Sequence, residues 1–492
     1  MTRPTVPHKT SQLGSRVRIG SHQKTLFWPR LVFALIGFAF ADPRLLGADS
    51  TVEELGYRGI WFDLNQKYEY GDKYSGGLGT YTAKHRPLAI HAPEVAMTFF
   101  VYGGTTAADE KHLLCMIGAY DHATDEVLRP TVVHDKQGVS DPHDNPSLLI
   151  DRKGHLWVLV SGRGTGRSGF KYRSLRPYDI SAFEQVSEEE MTYPQPWLLA
   201  DGSMIHFFTK YTGVRELYFE TSPDGMSWSE DVKLAGIREA DDDKGGHYQV
   251  SSRSGEKVGT FFNRHPNGHV DRRTDLYYLE STDGGRSWQT AGGTRLSIPL
   301  TDVGSPARAM DFTTAGKNVY LKDMVFDEAG RPVCLYVTSA SFQPGPVGSP
   351  REFRISRWDG DTWLTSVVAA TGHNYDMGSL SIDGSNWSVV IPSGEGPQRH
   401  GTGGEIVIHS STDRGRSWRM ERTVTQDSLR NHGYVRRAEN AVDPFRYFWA
   451  DGDPDKFSVS RLYIGDSQGR FKVLPYTMAT MREKLGLKRT ID

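Results

Sequence analysis

Apolar and polar positions follow one recurring pattern along most of the chain. An apolar run is followed by a turn of two to four residues rich in Asp, Gly or Ser, then by a second apolar or aromatic run. The unit is read at 87–104, 146–162, 196–211, 248–264, 324–339 and 378–394, and more weakly at 441–453. Its turns centre near residues 95, 152, 201, 255, 328, 384 and 445, at intervals of about 50–60 residues with one longer gap of about 73. Short apolar runs bounded by turn residues predict strand hairpins. A period of roughly 50–60 residues with about four short strands per unit predicts a β-propeller. A four-stranded sheet has two apolar faces, and stacking such sheets around an axis buries both while closing the ring protects the edges. Seven hairpins therefore predict an all-β, seven-bladed propeller of four-stranded antiparallel blades. Two packed β-sandwiches, the competing architecture, need no fixed period.

Composition agrees with this reading. The chain has 492 residues, of which 52 are Gly and 11% are aromatic, a mix suited to many tight turns between strands. Two cysteines exclude a disulfide scaffold and a Cys-rich zinc module. Cys115 and Cys334 lie on separate apolar strand patterns and are read as buried free thiols. Residues 1–41 stand apart. They hold six basic residues and no acidic one, then an apolar run from Leu31 to Ala41 ending in Ala39-Phe40-Ala41. This is the pattern of a secretory signal, too short to span a bilayer. The expected organisation is a signal segment at 1–41 and one propeller domain at 42–492, with a secreted or periplasmic location. Six of the 58 basic and none of the 60 acidic residues fall in 1–41, so the remainder carries about −8. No basic run dominates it, which argues against nucleic acid as a partner.

Two segments match S-x-D-x-G-x-S-W at every fixed position: Ser281-Thr-Asp283-Gly-Gly285-Arg-Ser-Trp288 and Ser411-Thr-Asp413-Arg-Gly415-Arg-Ser-Trp418. Ser222-Pro-Asp224-Gly-Met-Ser-Trp228 is one residue short, and Trp358-Asp359-Gly-Asp-Thr-Trp363 is looser. Their chemistry is structural. Asp bonds turn amides, Gly takes positive φ and Trp packs between blades. These Asp boxes, with the hairpin period, resemble the BNR/Asp-box propellers, which include sialidases. A narrower likeness rests on GYRGIWFDLNQ (56–66), DPHDNPSLLIDRKGHLWV (141–158), YRSLRPYDISAFE (172–184) and TYPQPWLLADG (192–202). It continues through NRHPNGHVDRRTDLYYLESTDGGRSW (263–288) and FRYFWADG (445–452). These segments resemble the BNR-type family containing ulvan-lyase-like polysaccharide lyases. The resemblance implies a seven-bladed propeller that acts on, or binds, an anionic polysaccharide.

Propeller geometry sorts residues between two faces. Hairpin turns and Asp boxes share one face. Residues just before each inner strand, or just after the second strand, share the other, near the axis. That second face collects His143, Tyr193 and His247 ahead of inner strands, and Arg163, Lys210, Arg264, His265 and Arg399 after second strands. Arg437 precedes the last inner hairpin. Function riding on loops over a rigid scaffold points to this face. The resemblance implies a catalytic role for His143, in Asp141-Pro-His-Asp-Asn-Pro146, and neutral imidazole is a natural acceptor for a C–H proton. The family pattern places a second His about twenty residues on, where this chain has Arg163. Tyr193 is the candidate proton donor to a leaving glycosidic oxygen. Arg163, Lys210, Arg264 and Arg273 are candidate clamps for a uronate carboxylate or sulfate, with His247, His265, Arg399 and Arg437 as further binding residues.

The expected activity is β-elimination on an acidic, uronate-containing polysaccharide or oligosaccharide, sulfated polymers included. A propeller glycosidase is the first alternative and would need two carboxylates, for which Asp144, Asp323, Asp376 and Glu395 are available. A non-catalytic glycan-binding propeller is the second. His247 and His265 lack tight metal-ligand spacing, and the Asp241-Asp242-Asp243 run lacks further spaced oxygen ligands, so no metal or cofactor is expected. The chain is expected to be a monomer.

Overall fold

The computed structural model describes residues 56–63, 65–106 and 110–486. The expected signal segment lies outside them. Among the described residues no helix is long and apolar enough to cross a membrane. Regular structure is β apart from three short 3₁₀ turns.

Seven antiparallel units follow one another along the chain. Their innermost strands are Ala89–Ala92, Pro146–Ile150, Thr192–Leu198, His247–Ser254, Asn318–Phe326, Ser379–Asp383 and Asn431–Val442. Each pairs with a second strand across one of the seven turns read from the sequence. We number these units blades 1 to 7. Most of the strands in the first three layers are apolar and buried on both faces, because each blade is covered by its neighbours.

Closure uses both ends of the described chain. The innermost strand of blade 7 runs parallel to that of blade 1, with Glu439 opposite Ile90. The strand Arg482–Lys484 adds antiparallel to the outer strand of blade 1, Glu126–Leu128. At the other end, Gly59–Asp63 pairs with Ser458–Ser460 beside blade 7, and the Tyr57 amide donates to the Pro475 carbonyl at 2.8 Å.

The Asp boxes join the third and fourth strands of their blades. Asp283 accepts from the Ser287 amide and hydroxyl at 2.9 and 2.6 Å, while Ser281 Oγ accepts from the Gly285 amide. Asp413, Ser417, Ser411 and Gly415 repeat these bonds. Gly285 has φ +87°, and a Cβ there would lie 2.8 Å from Phe219 of blade 3. The same backbone drives Trp288 into that interface, edge-on to Phe207 and Phe219 at 6.0 and 5.2 Å. Trp288 thus wedges blade 4 against blade 3, and Trp418 donates to Ser366 of blade 5 at 3.1 Å. Cys115 and Cys334 are free and buried.

Trp288→Ala is expected to lower the unfolding free energy by about 3–5 kcal/mol, as for a buried aromatic truncated in a core. Urea unfolding followed by fluorescence measures it. A change within the roughly 0.5 kcal/mol typical of surface substitutions would mean the Trp is not an inter-blade wedge.

Candidate active site

Six blades place a tyrosine near the start of the inner strand, in the connection leading to it (Tyr81, Tyr375) or within its first four residues, and blade 2 places His143 just before its strand. The tyrosines are Tyr81, Tyr193, Tyr248, Tyr320, Tyr375 and Tyr434. Because the inner strands start at one end of one axis, these rings meet. Tyr81 lies 5.2 Å from His143, His143 6.0 Å from Tyr193, and Tyr193 5.6 Å from Tyr248. The Arg273 guanidinium bridges Tyr248 and Tyr320 at 4.8 and 4.4 Å. Tyr320 meets Tyr375 at 5.5 Å, and Tyr74 stacks on Tyr375 at 4.7 Å and on Tyr81 at 6.2 Å, completing the circuit. Tyr434 packs beside Tyr81.

His143 sits in a one-turn 3₁₀ helix, Pro142–Asp144, whose first amides are capped by Asp141. The Asp141 carboxylate bonds Nδ1 at 2.5 Å, and Nε2 faces the Tyr81 hydroxyl at 3.2 Å. His85 Nε2 bonds the His143 carbonyl at 3.0 Å and fixes the turn from beneath. Burial lowers the imidazole pKa from 6.5; Asp141 opposes this without reversing it. The ring is therefore neutral at pH 7. With Nδ1–H donating to Asp141, the lone pair lies on Nε2.

Tyr193 leaves the strand's alternation. Its φ is +59° and the pairing register slips between Thr192 and Gln195. Its amide donates to Ser161 Oγ at 3.0 Å, and its hydroxyl accepts from Arg163 at 3.0 Å. A non-glycine residue held in the left-handed region costs about 1–3 kcal/mol and is a common mark of a functional site. The Tyr193 and Tyr248 rings meet edge-on, so that each phenol bears on the ionisation of the other. Burial raises Tyr193 well above the usual 10. Burial also raises Tyr248, but Arg215, Arg273 and Arg163 outweigh it and bring that phenol below 10.

The cations around these phenols are short of counter-charge. Lys84 is 8% exposed and lies 4.2 Å over the Tyr248 ring. Arg273 is 4% exposed and donates to the Tyr375 hydroxyl and the Val270 carbonyl. Arg215 reaches the Gly268 carbonyl and His265 Nδ1. Among the described residues none of the three has a carboxylate within salt-bridge range. Burial, then Arg273, Lys322, Arg163 and Arg215, hold the Lys84 ammonium well below its usual pKa. Asp141, the carboxylate in contact with the circuit, is already shared by His143, Arg163 and Arg167.

Of the residues expected from sequence, His143, Tyr193, Arg163, Arg273 and His265 converge here; His265 packs edge-on to Tyr248 at 4.8 Å. The others do not. Lys210 is turned away to Asp231 at 2.6 Å. Arg264 is buried in ion pairs with Asp275 and Glu239 at 2.9 and 2.7 Å. His247 is a packing histidine, with Nε2 accepting from the Ile237 amide and Nδ1 against the Asn263 carbonyl. Arg437 pairs with Asp323 and Glu439 in the channel, and Arg399 lies on an outer loop beside Glu395. The possible glycosidase carboxylates are equally occupied. Asp144 is locked by Arg167 and Lys136, Asp323 by Arg86 and Arg437, and Asp376 by the His373 and Gly403 amides. A cavity of about 460 Å³ at the far ends of the inner strands, lined by Asp151, Arg152 and Arg253, holds none of the phenols in the circuit.

The family profile described as BNR repeat-containing family member matches residues 96–371, more than half of the chain. The chain belongs to this BNR repeat family. Within curated proteins it is 24% identical over 371 residues to an ulvan lyase of Nonlabens ulvanivorans, covering 66% of this chain and 74% of that one. An ulvan lyase of Alteromonas sp. (strain LOR) is 22% identical over 347 residues, covering 62% and 68%. A solved polysaccharide lyase, PL25 ulvan lyase, superposes with a TM-score of 0.66 at 19% identity over 84% of this chain and 96% of that one. A PL25 ulvan lyase structure bound to GlcA(1-4)Rha3S gives 0.66 at 18%, over the same shares. At these identities the solved structures establish the BNR-repeat propeller fold.

The phenol pair is expected to lose its first proton below the pKa of an ordinary tyrosine, because the surrounding cations favour one phenolate. Near-ultraviolet tyrosinate absorbance across a pH titration measures it, and Tyr248→Phe should remove that early step. An unchanged titration in the variant would refute the assignment.

Proposed function

We propose that this protein is an exported polysaccharide lyase that cleaves a uronate-containing, sulfated polysaccharide of the GlcA–Rha3S type by β-elimination. The observation that carries this reading is the group of buried or half-buried cations without carboxylates, set around a neutral histidine and two adjacent phenols. Such a site is completed by an anionic ligand, since burying unpaired charge is costly. The ulvan lyase relatives and the GlcA(1-4)Rha3S-bound neighbour support the choice of anion. The basic, then apolar pattern of 1–41 supports export, with 42–492 as one propeller domain.

In the proposed reaction Arg163, Arg273 and Lys84 hold the uronate carboxylate. Their charge lets electron density build on it as the C5–H bond breaks, without which the proton is too weakly acidic for a side chain. His143 Nε2 takes the C5 proton. The electron pair forms the C4–C5 double bond, the C4–O bond breaks, and the leaving oxygen takes the Tyr193 proton. The 3.2 Å Tyr81–His143 contact is long for a hydroxyl bond, so substrate can displace it. Arg163 holds the Tyr193 hydroxyl in place at 3.0 Å. The hydrolytic reading needs two carboxylates flanking the bond; near the circuit Asp141 is already shared by His143, Arg163 and Arg167, and Asp271 is paired with Lys73 at 3.0 Å.

The test is incubation with GlcA–Rha3S polymer, watching for ultraviolet-absorbing unsaturated ends. New reducing ends without that absorbance would mean hydrolysis, and binding with neither would mean a lectin-like protein. His143→Ala is expected to cost about 10²–10⁴ in rate, as for loss of a general base, and Arg273→Ala about 10²–10³.

The pH–rate profile separates the two possible bases. The reaction needs neutral imidazole, so the rate should fall as pH drops through a pKa below 6.5. An acid limb lying above the ordinary imidazole value of 6.5 but below the ordinary phenol value of 10 would instead assign the base to Tyr248.

A further inference from the structure

A second concavity lies on the same face as the phenol circuit, between the loops of blades 5 and 6. It encloses about 340 Å³ and is walled by Pro346, Thr371, Pro392, Glu395, Arg399 and His400. That volume falls within the roughly 300–1,000 Å³ of small-molecule sites. The Tyr70 ring stands edge-on to His400 at 5.2 Å and is 37% exposed. Its seat is built in. Gly345 has φ +78°, and a Cβ there would lie 2.3 Å from the Tyr70 ring. Arg399 and Glu395 pair at 3.3 Å with more than seven-tenths of each side chain in solvent. Arg351, by contrast, is buried and spends its donors on the Gly345, Gly372 and Asn374 oxygens, so it is scaffold.

Two segments tie this groove to the circuit. Thr371 and Gly372 line it, and Tyr375, three residues on, belongs to the circuit. The hairpin formed by Lys67–Tyr68 and Gly71–Asp72 carries Tyr70 at its turn, while Tyr74 stacks on Tyr375 at 4.7 Å.

We propose that this groove is a remote saccharide subsite for the same polymer, a reading that rests on the function proposed above. Tyr70 and His400 offer aromatic surface to the C–H face of a pyranose ring. The Glu395 carboxylate and Arg399 guanidinium, one acceptor and one donor side by side, bond its hydroxyl or sulfate oxygens. A chain anchored there and at the circuit is held at two points, so longer fragments bind more tightly than short ones.

Calorimetric titration of the His143→Ala protein with GlcA–Rha3S oligosaccharides of two and of six repeats tests this. The longer fragment is expected to bind about tenfold more tightly, a difference of about 1.4 kcal/mol. Tyr70→Ala with Arg399→Ala should reduce that difference to less than about twofold, and Arg399→Ala alone, at an exposed position, should reduce it in part. Equal affinity for both lengths in the parent, or the full tenfold difference surviving in the double variant, would overturn the subsite while leaving the central site intact. Failure of both lengths to bind the parent would overturn the central reading, and the subsite with it.

Discussion

Seven strands that begin at one end of one axis bring together side chains that lie near their starts. Everything distinctive about the upper end of this propeller depends on that constraint. With Arg273 and Tyr74 as links, it turns Tyr81, His143, Tyr193, Tyr248, Tyr320 and Tyr375 into a closed circuit, with Tyr434 beside Tyr81. Closure of blade 7 on blade 1 through Glu439 and Ile90 holds the ring shut. The Trp288 wedge and the Asp-box turns stiffen the opposite ends of the blades. Rigid scaffolding at one end allows strained, charged groups to persist at the other.

The electrostatics follow from the same convergence. Arginines from three different connections, Arg163, Arg215 and Arg273, reach one pair of phenols. Their combined field brings Tyr248 below the ordinary pKa, while burial keeps Tyr193 above it. Two neighbouring titratable groups pushed apart by their surroundings are what proton transfer at neutral pH requires. Lys84, packed on the Tyr248 ring without a carboxylate, adds charge that a bound anion would satisfy. The Asp141–His143–Tyr81 chain sets the imidazole tautomer and aims its lone pair at the same space.

Most of the fold was legible in the sequence. All seven hairpin turns fall where the apolar pattern placed them, because strand period and turn chemistry are local signals. The site was only partly legible. Strand polarity sorted His143, Arg163, Tyr193 and His265 to the face where the structure brings them together, and Arg273, a candidate clamp without an assigned face, joins them there. Which way a neighbouring residue points is a finer matter. Lys210 and Tyr211 are adjacent, yet Lys210 turns to Asp231 while Tyr211 lies under Arg163. Arg264 and His265 divide in the same way, Arg264 to Asp275 and His265 to Tyr248. Tyr248, Tyr320 and Tyr434 were missed because a tyrosine beginning an apolar run reads as core. The signal that would have found them is their shared place, a few residues into or before each inner strand, as Tyr193 has. Lys84 and Arg215 had no such marker, since their proximity to Tyr248 comes only from folding.

The most direct measurement is a crystal structure of the Tyr193→Phe protein with a GlcA–Rha3S oligosaccharide. The uronate carboxylate should lie among Arg163, Arg273 and Lys84, with C5 within about 3.5 Å of His143 Nε2, the spacing of a near-attack arrangement. An oligosaccharide bound instead at the opposite mouth beside Arg152 and Arg253, or one whose carboxylate meets none of these cations, would contradict the account.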